Sequence, residues 1–85
     1  MERLHFATTP ELLDRAKRLL GLDTDYKLAK CLKWPVQQVS RYRTGASSMS
    51  LVAAQDFAEI TGISLSEIAN AARADHEQRR RKTVA

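Results

Sequence analysis

One short stretch of the chain concentrates side chains that can recognise another molecule by hydrogen bonding. Residues 36–43 include an aliphatic residue, two amides, a hydroxyl and two guanidinium groups, namely Val36, Gln37, Gln38, Ser40, Arg41 and Arg43. Glutamine can bond bidentately to adenine, arginine to guanine, and an aliphatic group can contact the thymine methyl. A polar helix face is more often simply solvated, so the neighbouring residues must decide between these two interpretations.

The neighbouring residues predict two short helices joined by a tight turn. The apolar stripe of the first helix is formed at helical spacing by Leu28, Ala29 and Leu32. Proline is favoured at the first helical position, and it pushes the residue before it, here Trp34, out of the α region. We therefore expect the first helix to end near Leu32. The second should begin at Pro35, end near Thr44 and stop at Gly45.

The second of these helices is expected to have one buried and one polar face. Val39 and Tyr42 are spaced i, i+3 and, together with Trp34 from the turn, would pack on the apolar stripe. Ala29 is small, which would let the two helices cross closely. The hydrogen-bonding residues within 36–43 are expected to lie on the opposite face of this helix.

The charge of the chain is concentrated around this helix pair. The formal net charge is +4 and the isoelectric point is about 9.6, values that suit a nucleic-acid partner. Residues 26–55 contain five basic residues and no acidic one, whereas residues 56–72 sum to −3 and residues 73–85 to +3. The turn, the apolar pattern and the absence of acids together favour DNA binding over a merely solvated helix.

Residues 25–45 resemble the helix-turn-helix of the lambda-repressor and Cro-like family, often called XRE-type. The run VSRYRTG is similar to the family's frequent isoleucine-serine-arginine-x-x-x-glycine, and the family's small residue in the first helix matches Ala29. The resemblance continues through SLVAAQDFAEITGISLSEI and covers roughly residues 9–72. Two positions depart from the family pattern, which usually has glycine at Lys33 and a capping hydroxyl at Pro35.

The resemblance implies an all-α, five-helix lambda-repressor-like domain whose second motif helix enters the major groove of double-stranded DNA. Val36, Gln37 and Arg41 align with positions that read base edges in the family. Gln38, Ser40 and Arg43 are the next candidates for contacts with bases. The expected contacts to DNA phosphates are Tyr26, Lys27, Lys30, Ser47 and Ser48. The family often has a phosphate-binding glutamine near the position of Asp25, and an acid cannot take that role.

Helix-start and helix-stop residues predict three further helices around this pair. The first should be capped by Thr9, with Pro10 at its first position and Gly21 at its end, and its apolar stripe comprises Leu12, Leu13, Ala16, Leu19 and Leu20. Thr24 or Asp23 should cap the next helix. A fourth helix after Ser50 is expected to span Leu51 to Thr61, stop at Gly62, and bury Leu51, Ala54, Phe57 and Ala58.

The last helix opens with a capping box at Ser64 and Glu67, flanked by Ile63 and Ile68 at the positions of a hydrophobic staple. No helix breaker occurs until beyond Lys82, but four adjacent basic residues at 79–82 are expected to fray this end. The predicted organisation is an N-terminal arm at 1–8, a helix-turn-helix domain at 9–76 and a basic tail at 77–85. In the arm, Leu4 and Phe6 alternate with polar residues in a weak strand pattern.

Several function classes are disfavoured by the sequence. It has no phosphate-cradling glycine loop, no paired-cysteine metal spacing and no nucleophile elbow. Cys31 is the single cysteine, and His5 and His76 lie at opposite ends of the chain. We therefore expect no enzymatic activity, no cofactor and no metal. The sequence shows neither an apolar run of membrane-spanning length nor a secretory signal, which predicts a cytoplasmic protein.

Three functional hypotheses follow. The first is a sequence-specific transcriptional regulator, a repressor acting as a homodimer on a pseudo-palindromic operator, with the fifth helix or the arm as dimer surface. Its minimal size resembles that of small phage-encoded regulators. The second is a protein-interaction or antitoxin-like module in which the C-terminal segment 73–85 binds a protein partner. A module that only binds protein has no need to exclude acids from residues 26–55, so the charge pattern argues against it.

The third hypothesis is nonspecific binding of RNA or single strands, which would require exposed aromatic side chains on which bases can stack. This hypothesis is disfavoured because Trp34, Tyr42 and Phe57 are expected to be buried. Only Tyr26 and Phe6 would then remain as exposed aromatic residues.

Overall fold

A computed structural model describes the backbone of residues 7–83 and the surroundings of the side chains of residues 7–78. This part of the chain contains no strand. Its five helices are α1 (Thr9–Leu20), α2 (Asp25–Leu32), α3 (Val36–Thr44), α4 (Leu51–Thr61) and α5 (Leu65–Thr83). The predicted all-α architecture is therefore confirmed. The strand pattern of Leu4 and Phe6 lies outside the described residues, as do the side chains of the basic run at 79–82.

Hydrogen-bonding side chains set most of the helix starts where the sequence predicts them. Thr24 caps α2 by accepting from the Lys27 N–H at 3.1 Å, and Ser50 caps α4 by accepting from the Ala53 N–H at 3.1 Å. At the start of α5 the Ser64 hydroxyl accepts from the Glu67 N–H at 3.1 Å, while the Ser64 N–H donates to the Glu67 carboxylate at 3.4 Å. The predicted capping box is thus confirmed.

Two helix starts differ from the prediction by one residue. The cap of α1 is Thr8 rather than Thr9, because Glu11 lies three residues after Thr8 and completes a capping box with it. The Glu11 carboxylate accepts from the Thr8 N–H at 2.7 Å. In α3, Pro35 is the cap, without a side-chain hydrogen bond, and the helix begins at the following residue.

The core lies where the apolar faces of all five helices meet. Packed pairs include α2 with α3, α1 with α5 and α1 with α3. The largest fully buried side chains are Phe57, Leu12, Leu13, Leu28, Ile63 and Val39. Two predicted core residues are instead exposed, Leu19 by 56% and Leu51 by 71%. The prediction was wrong for Leu51 because the buried face of α4 is formed by Ala53, Ala54 and Phe57. It was also wrong for Leu19, which lies at the edge of the apolar stripe of α1.

Two contacts fix the long α5 against the start of the chain. The Thr9 N–H donates to the Asp75 carboxylate at 2.9 Å, and the Arg15 guanidinium pairs with Glu67 at 2.7 Å. The helix then continues to Thr83. The expected fraying across the basic run is therefore not seen in the backbone.

The turn between α2 and α3 places a lysine in the left-handed conformation. Lys33 has φ 60° and ψ 38°, and its N–H donates to the Lys30 carbonyl at 3.1 Å while the Trp34 N–H donates to the Ala29 carbonyl at 2.9 Å. These two bonds form a Schellman closure, in which glycine usually occupies the left-handed position. A β-carbon in this conformation costs about 1–2 kcal/mol.

Replacing this lysine with glycine should stabilise the protein. We expect Lys33→Gly to raise the free energy of unfolding by about 0.5–1 kcal/mol, since the relieved strain exceeds the entropy that glycine adds to the unfolded chain. Urea unfolding followed by circular dichroism measures this. Lys33→Ala is the matched control, because it removes the charge and keeps the strained β-carbon. Equal stabilisation by both variants would show that the charge, and not the backbone conformation, is responsible.

Candidate functional site

The exposed side of α3 and the loop after it form one groove of about 540 Å³. Its lining consists of Pro35, Gln37, Gln38, Arg41, Tyr42, Ser47, Ser48 and Ser50. Five of these residues were predicted site residues, three of them as base contacts and two as phosphate contacts. The groove therefore brings together amides, a guanidinium group and hydroxyls that are spread over residues 37–50 of the sequence.

A backbone contact folds the loop after α3 onto the helix, and an aromatic cluster packs α3 against α4. Gly45 ends α3 at φ 85°, and the Ser47 N–H then donates to the Arg41 carbonyl at 3.3 Å, which folds the loop back onto the helix. The Tyr42 ring meets Trp34 edge-on at 5.4 Å and 83°. Trp34 in turn stacks on Phe57 of α4 at 6.2 Å and 19°. The groove is thus built on a packed aromatic base.

The polar groups in the groove differ in whether they are already bonded. The Gln38 Nε2 donates to the Tyr42 hydroxyl oxygen at 2.8 Å. Gln37 and Arg41 are exposed, and neither side chain has a hydrogen-bond or ion-pair partner among the described residues. A ligand can therefore bond to these donors and acceptors without breaking a hydrogen bond or an ion pair within the domain.

Two further predicted base contacts lie on α3 outside the groove lining. Val36 and Ser40 are one helical turn apart and both are exposed, Val36 by 39%. They extend the exposed surface of α3 beyond the groove.

Arg43 is directed away from the other predicted base contacts. Its Nε and Nη2 atoms donate to the two carboxylate oxygens of Asp25, each at 2.8 Å, and Nη2 also donates to Asp14 at 2.9 Å. Lys17 Nζ lies 3.0 Å from the Asp25 carboxylate as well. The prediction that Arg43 shares the open face of α3 is wrong, because carboxylates from α1 and α2 bind its guanidinium group.

This ion-pair network keeps Asp25 charged. The hydrogen bond from the Arg43 guanidinium lowers the pKa of the Asp25 carboxyl group below its ordinary value; partial burial opposes this shift, and the contact with Lys17 adds to it. The same contact with Asp25 raises the pKa of Arg43. The network therefore joins α1, α2 and α3 by charged hydrogen bonds at neutral pH.

The predicted phosphate contacts on α2 form a separate group that does not line the groove. Tyr26 is 56% exposed, and the Lys30 ammonium lies 5.4 Å from the centre of its ring, within cation–π distance. Lys27 Nζ lies 3.1 Å from the carboxylate of Asp23, four residues earlier. This hydrogen bond lowers the pKa of Asp23. Lys27 is therefore shared with an internal acid, whereas Lys30 has no ion pair among the described residues.

The hydroxyl group of Tyr42 was missed in the sequence, where Tyr42 was assigned to the core. The residue is indeed buried, with 6% of it exposed, but it also lines the groove, and its hydroxyl oxygen accepts from the groove residue Gln38. The signal that could have found it is the i, i+4 spacing from Gln38, because residues four apart on a helix are neighbours.

Comparisons of the chain with protein-family models, curated proteins and solved structures find no match. Across residues 7–78, His, Cys, Asp and Glu side chains form no group of three or more that could hold a metal ion. No helix in the described part of the chain is both long and apolar enough to cross a bilayer.

The Asp25 network predicts how stability depends on pH. Because the pKa of Asp25 is lowered on folding, its contribution is present above the unfolded value and is lost as the pH falls through the folded one. Wild type should exceed Asp25→Asn in free energy of unfolding by about 1–2 kcal/mol at neutral pH. This difference should shrink towards zero between about pH 5 and about pH 2.

Urea unfolding at a series of pH values measures this difference. The control is Asp56→Asn, which changes an exposed carboxyl group of α4 that has no ion pair among the described residues. It should differ little from wild type at any pH. A pH-independent difference for Asp25→Asn would show that its charge does not support the fold.

Proposed function

We propose that this chain is a sequence-specific, double-stranded DNA-binding transcriptional regulator with a lambda-repressor-like fold. In this proposal α2, the turn at 33–35 and α3 are the helix-turn-helix, and α3 lies in the major groove. The observation that carries it is the groove, where Gln37, Gln38 and Arg41 share one lining with Ser47 and Ser48. Amides and guanidinium groups bond base edges, and hydroxyls bond phosphate oxygens.

The contacts divide by chemistry and position. Gln37, Gln38 and Arg41 read base edges from the groove, while Val36 and Ser40 contact the adjacent base pairs. Phosphate contacts come from two elements. The loop after α3 contributes Ser47 and Ser48, and α2 contributes Tyr26, Lys27 and Lys30. Arg43 is left out of the base-reading set because its guanidinium group is bound by Asp25 and Asp14.

The charge distribution supports the same partner. Residues 26–55 include no acidic residue, and the basic side chains of Lys30, Lys33 and Arg41 in this region are exposed. A surface of this kind attracts the phosphate backbone independently of sequence and supplies affinity, while the base contacts supply specificity.

The regulator is proposed to act as a cytoplasmic homodimer. Two copies would place two α3 helices in successive major grooves, on half-sites about 10 bp apart in a pseudo-palindromic operator. In this proposal the dimer represses transcription by occluding a promoter, as a small phage-encoded repressor would.

A protein-interaction module is the second candidate, and one surface favours it. An apolar groove of about 410 Å³ lies between the start of α4 and α5, where Leu51 and Leu65 are exposed. Contiguous exposed apolar surface is a feature of protein–protein interaction sites. In an antitoxin-like protein this surface and DNA binding would occur together.

Selection from randomised duplex DNA, followed by sequencing, tests the first proposal against the second. We expect the purified protein to enrich a pseudo-palindrome at near-physiological salt. The spacing of its half-sites would then locate the two-fold axis of the dimer. Weak, salt-sensitive binding with no enriched sequence would contradict the proposal and favour the protein-interaction module.

Arg41 should be required for specificity but not for folding. On the selected duplex we expect Arg41→Ala to cost about 1–3 kcal/mol of binding free energy and to relax one base position. Fluorescence anisotropy with a panel of single-base variants of the duplex measures both effects. Arg18→Ala is the control, since it removes the same charge from an exposed residue of α1 that does not line the groove. Unchanged discrimination by Arg41→Ala would remove this residue from the reading set.

Lys27 and Asp23 should have opposite effects that do not depend on the DNA sequence. Lys27→Ala should weaken selected and random duplexes alike and reduce the slope of log K against log salt by about 1. Asp23→Asn should strengthen both by about two- to fivefold, because it removes the carboxylate that competes with phosphate for Lys27. Salt titrations on both duplexes give the two slopes. An effect confined to the selected duplex would reassign Lys27 to base recognition.

A further inference from the structure

One side chain in the groove is oriented before any ligand binds. The Gln38 amide nitrogen donates to the Tyr42 hydroxyl oxygen at 2.8 Å, and this acceptor cannot move far. The Tyr42 ring is buried and packed edge-on against Trp34 at 5.4 Å. The amide plane of Gln38 is therefore tied to the aromatic base of the groove.

The neighbouring groups in the same lining lack this restraint. Gln37 and Arg41 have no side-chain partner among the described residues, so each must lose its rotational freedom when a ligand binds. Gln38 has lost much of that freedom already. A free amide can present its oxygen and its nitrogen in either order, whereas the bond from Nε2 to the Tyr42 hydroxyl orients the Gln38 amide in the order seen here.

We propose that Tyr42 is the positioning residue that makes Gln38 the adenine-reading side chain of this groove. The inference rests on the proposed function and adds its specificity. An amide NH₂ has two hydrogens, and Tyr42 takes one. The second hydrogen and the carbonyl oxygen remain, which is the donor–acceptor pair that matches N7 and the N6 amino group of adenine in the major groove.

The same arrangement disfavours guanine. Guanine offers two acceptors, N7 and O6, at the edge where adenine offers one acceptor and one donor. With one N–H bound to Tyr42, Gln38 would bring its carbonyl oxygen against the O6 acceptor, and two acceptors repel. Discrimination at this base pair therefore depends on the hydroxyl group of a buried tyrosine that itself contacts no base.

Tyr42→Phe tests the inference because it keeps the packed ring and removes only the hydroxyl. The probe is the duplex that the wild-type protein selects, prepared with each of the four base pairs at every position. Gln38→Ala first identifies the base pair that Gln38 reads. We expect Tyr42→Phe to reduce the preference for adenine at that pair by about fivefold to tenfold, with preferences elsewhere unchanged. Thermal unfolding of each variant establishes that it is folded.

Two further variants keep the test decisive. In Gln38→Ala with Tyr42→Phe, the preference should equal that of Gln38→Ala alone, because the hydroxyl acts only through the amide. Gln38→Glu presents acceptors only, so it should shift the preference at the same pair from adenine to cytosine, whose N4 amino group is a donor. This second result does not require Tyr42→Phe to fold. Gln37→Ala is the matched control and should relax a different position.

The outcomes separate this inference from the proposed function. If the wild-type protein enriches no sequence, the proposed function fails and this inference fails with it. If the wild type selects a duplex but Tyr42→Phe keeps its full preference for adenine, or Gln38→Ala relaxes no position, the regulator stands and the role of Tyr42 is overturned.

Discussion

The orientation of α3 depends on the ion-pair network around Arg43. A bidentate arginine–carboxylate contact has a fixed geometry, and here the carboxylates of Asp25 and Asp14 belong to two different helices. The Arg43 side chain is only 29% exposed, so the loss of one partner would leave its charge poorly solvated. Hydrophobic packing of Val39 and Tyr42 brings α3 to the core, and the network determines its rotation and position against α1 and α2.

With one face of α3 held in this way, the opposite face is free to present groups to a ligand. Arg41 and Arg43 are two positions apart on the helix and have opposite roles, one exposed in the groove and one bound within the domain. Tyr42, between them, takes part in both, because its ring is buried while its hydroxyl reaches the groove. The polar surface of α3 is thus coupled, through Tyr42, to the packing of the core beneath it.

The sequence predicted those features that arise from interactions within three or four residues. The caps Thr24, Ser50 and Ser64 follow from local pairing of hydroxyls with backbone N–H groups, and all five helices lie close to their expected bounds. Arg43 was misplaced because its partners are 18 and 29 residues away. Helical periodicity shows that Arg41 and Arg43 project differently, but it does not show which of them meets the acids of other helices.

Ion pairs with acids outside residues 26–55 reduce the number of unpaired basic side chains in this segment. Residues 26–55 contain five basic residues and no acid, yet acids from before this segment bind two of them. Asp25 and Asp14 bind Arg43, and Asp23 binds Lys27. Within the segment this leaves three basic side chains that have no acidic partner among the described residues, namely Lys30, Lys33 and Arg41. Under the proposed function, these three cations are free to meet phosphates as they stand, whereas Lys27 must first exchange the Asp23 carboxylate for a phosphate.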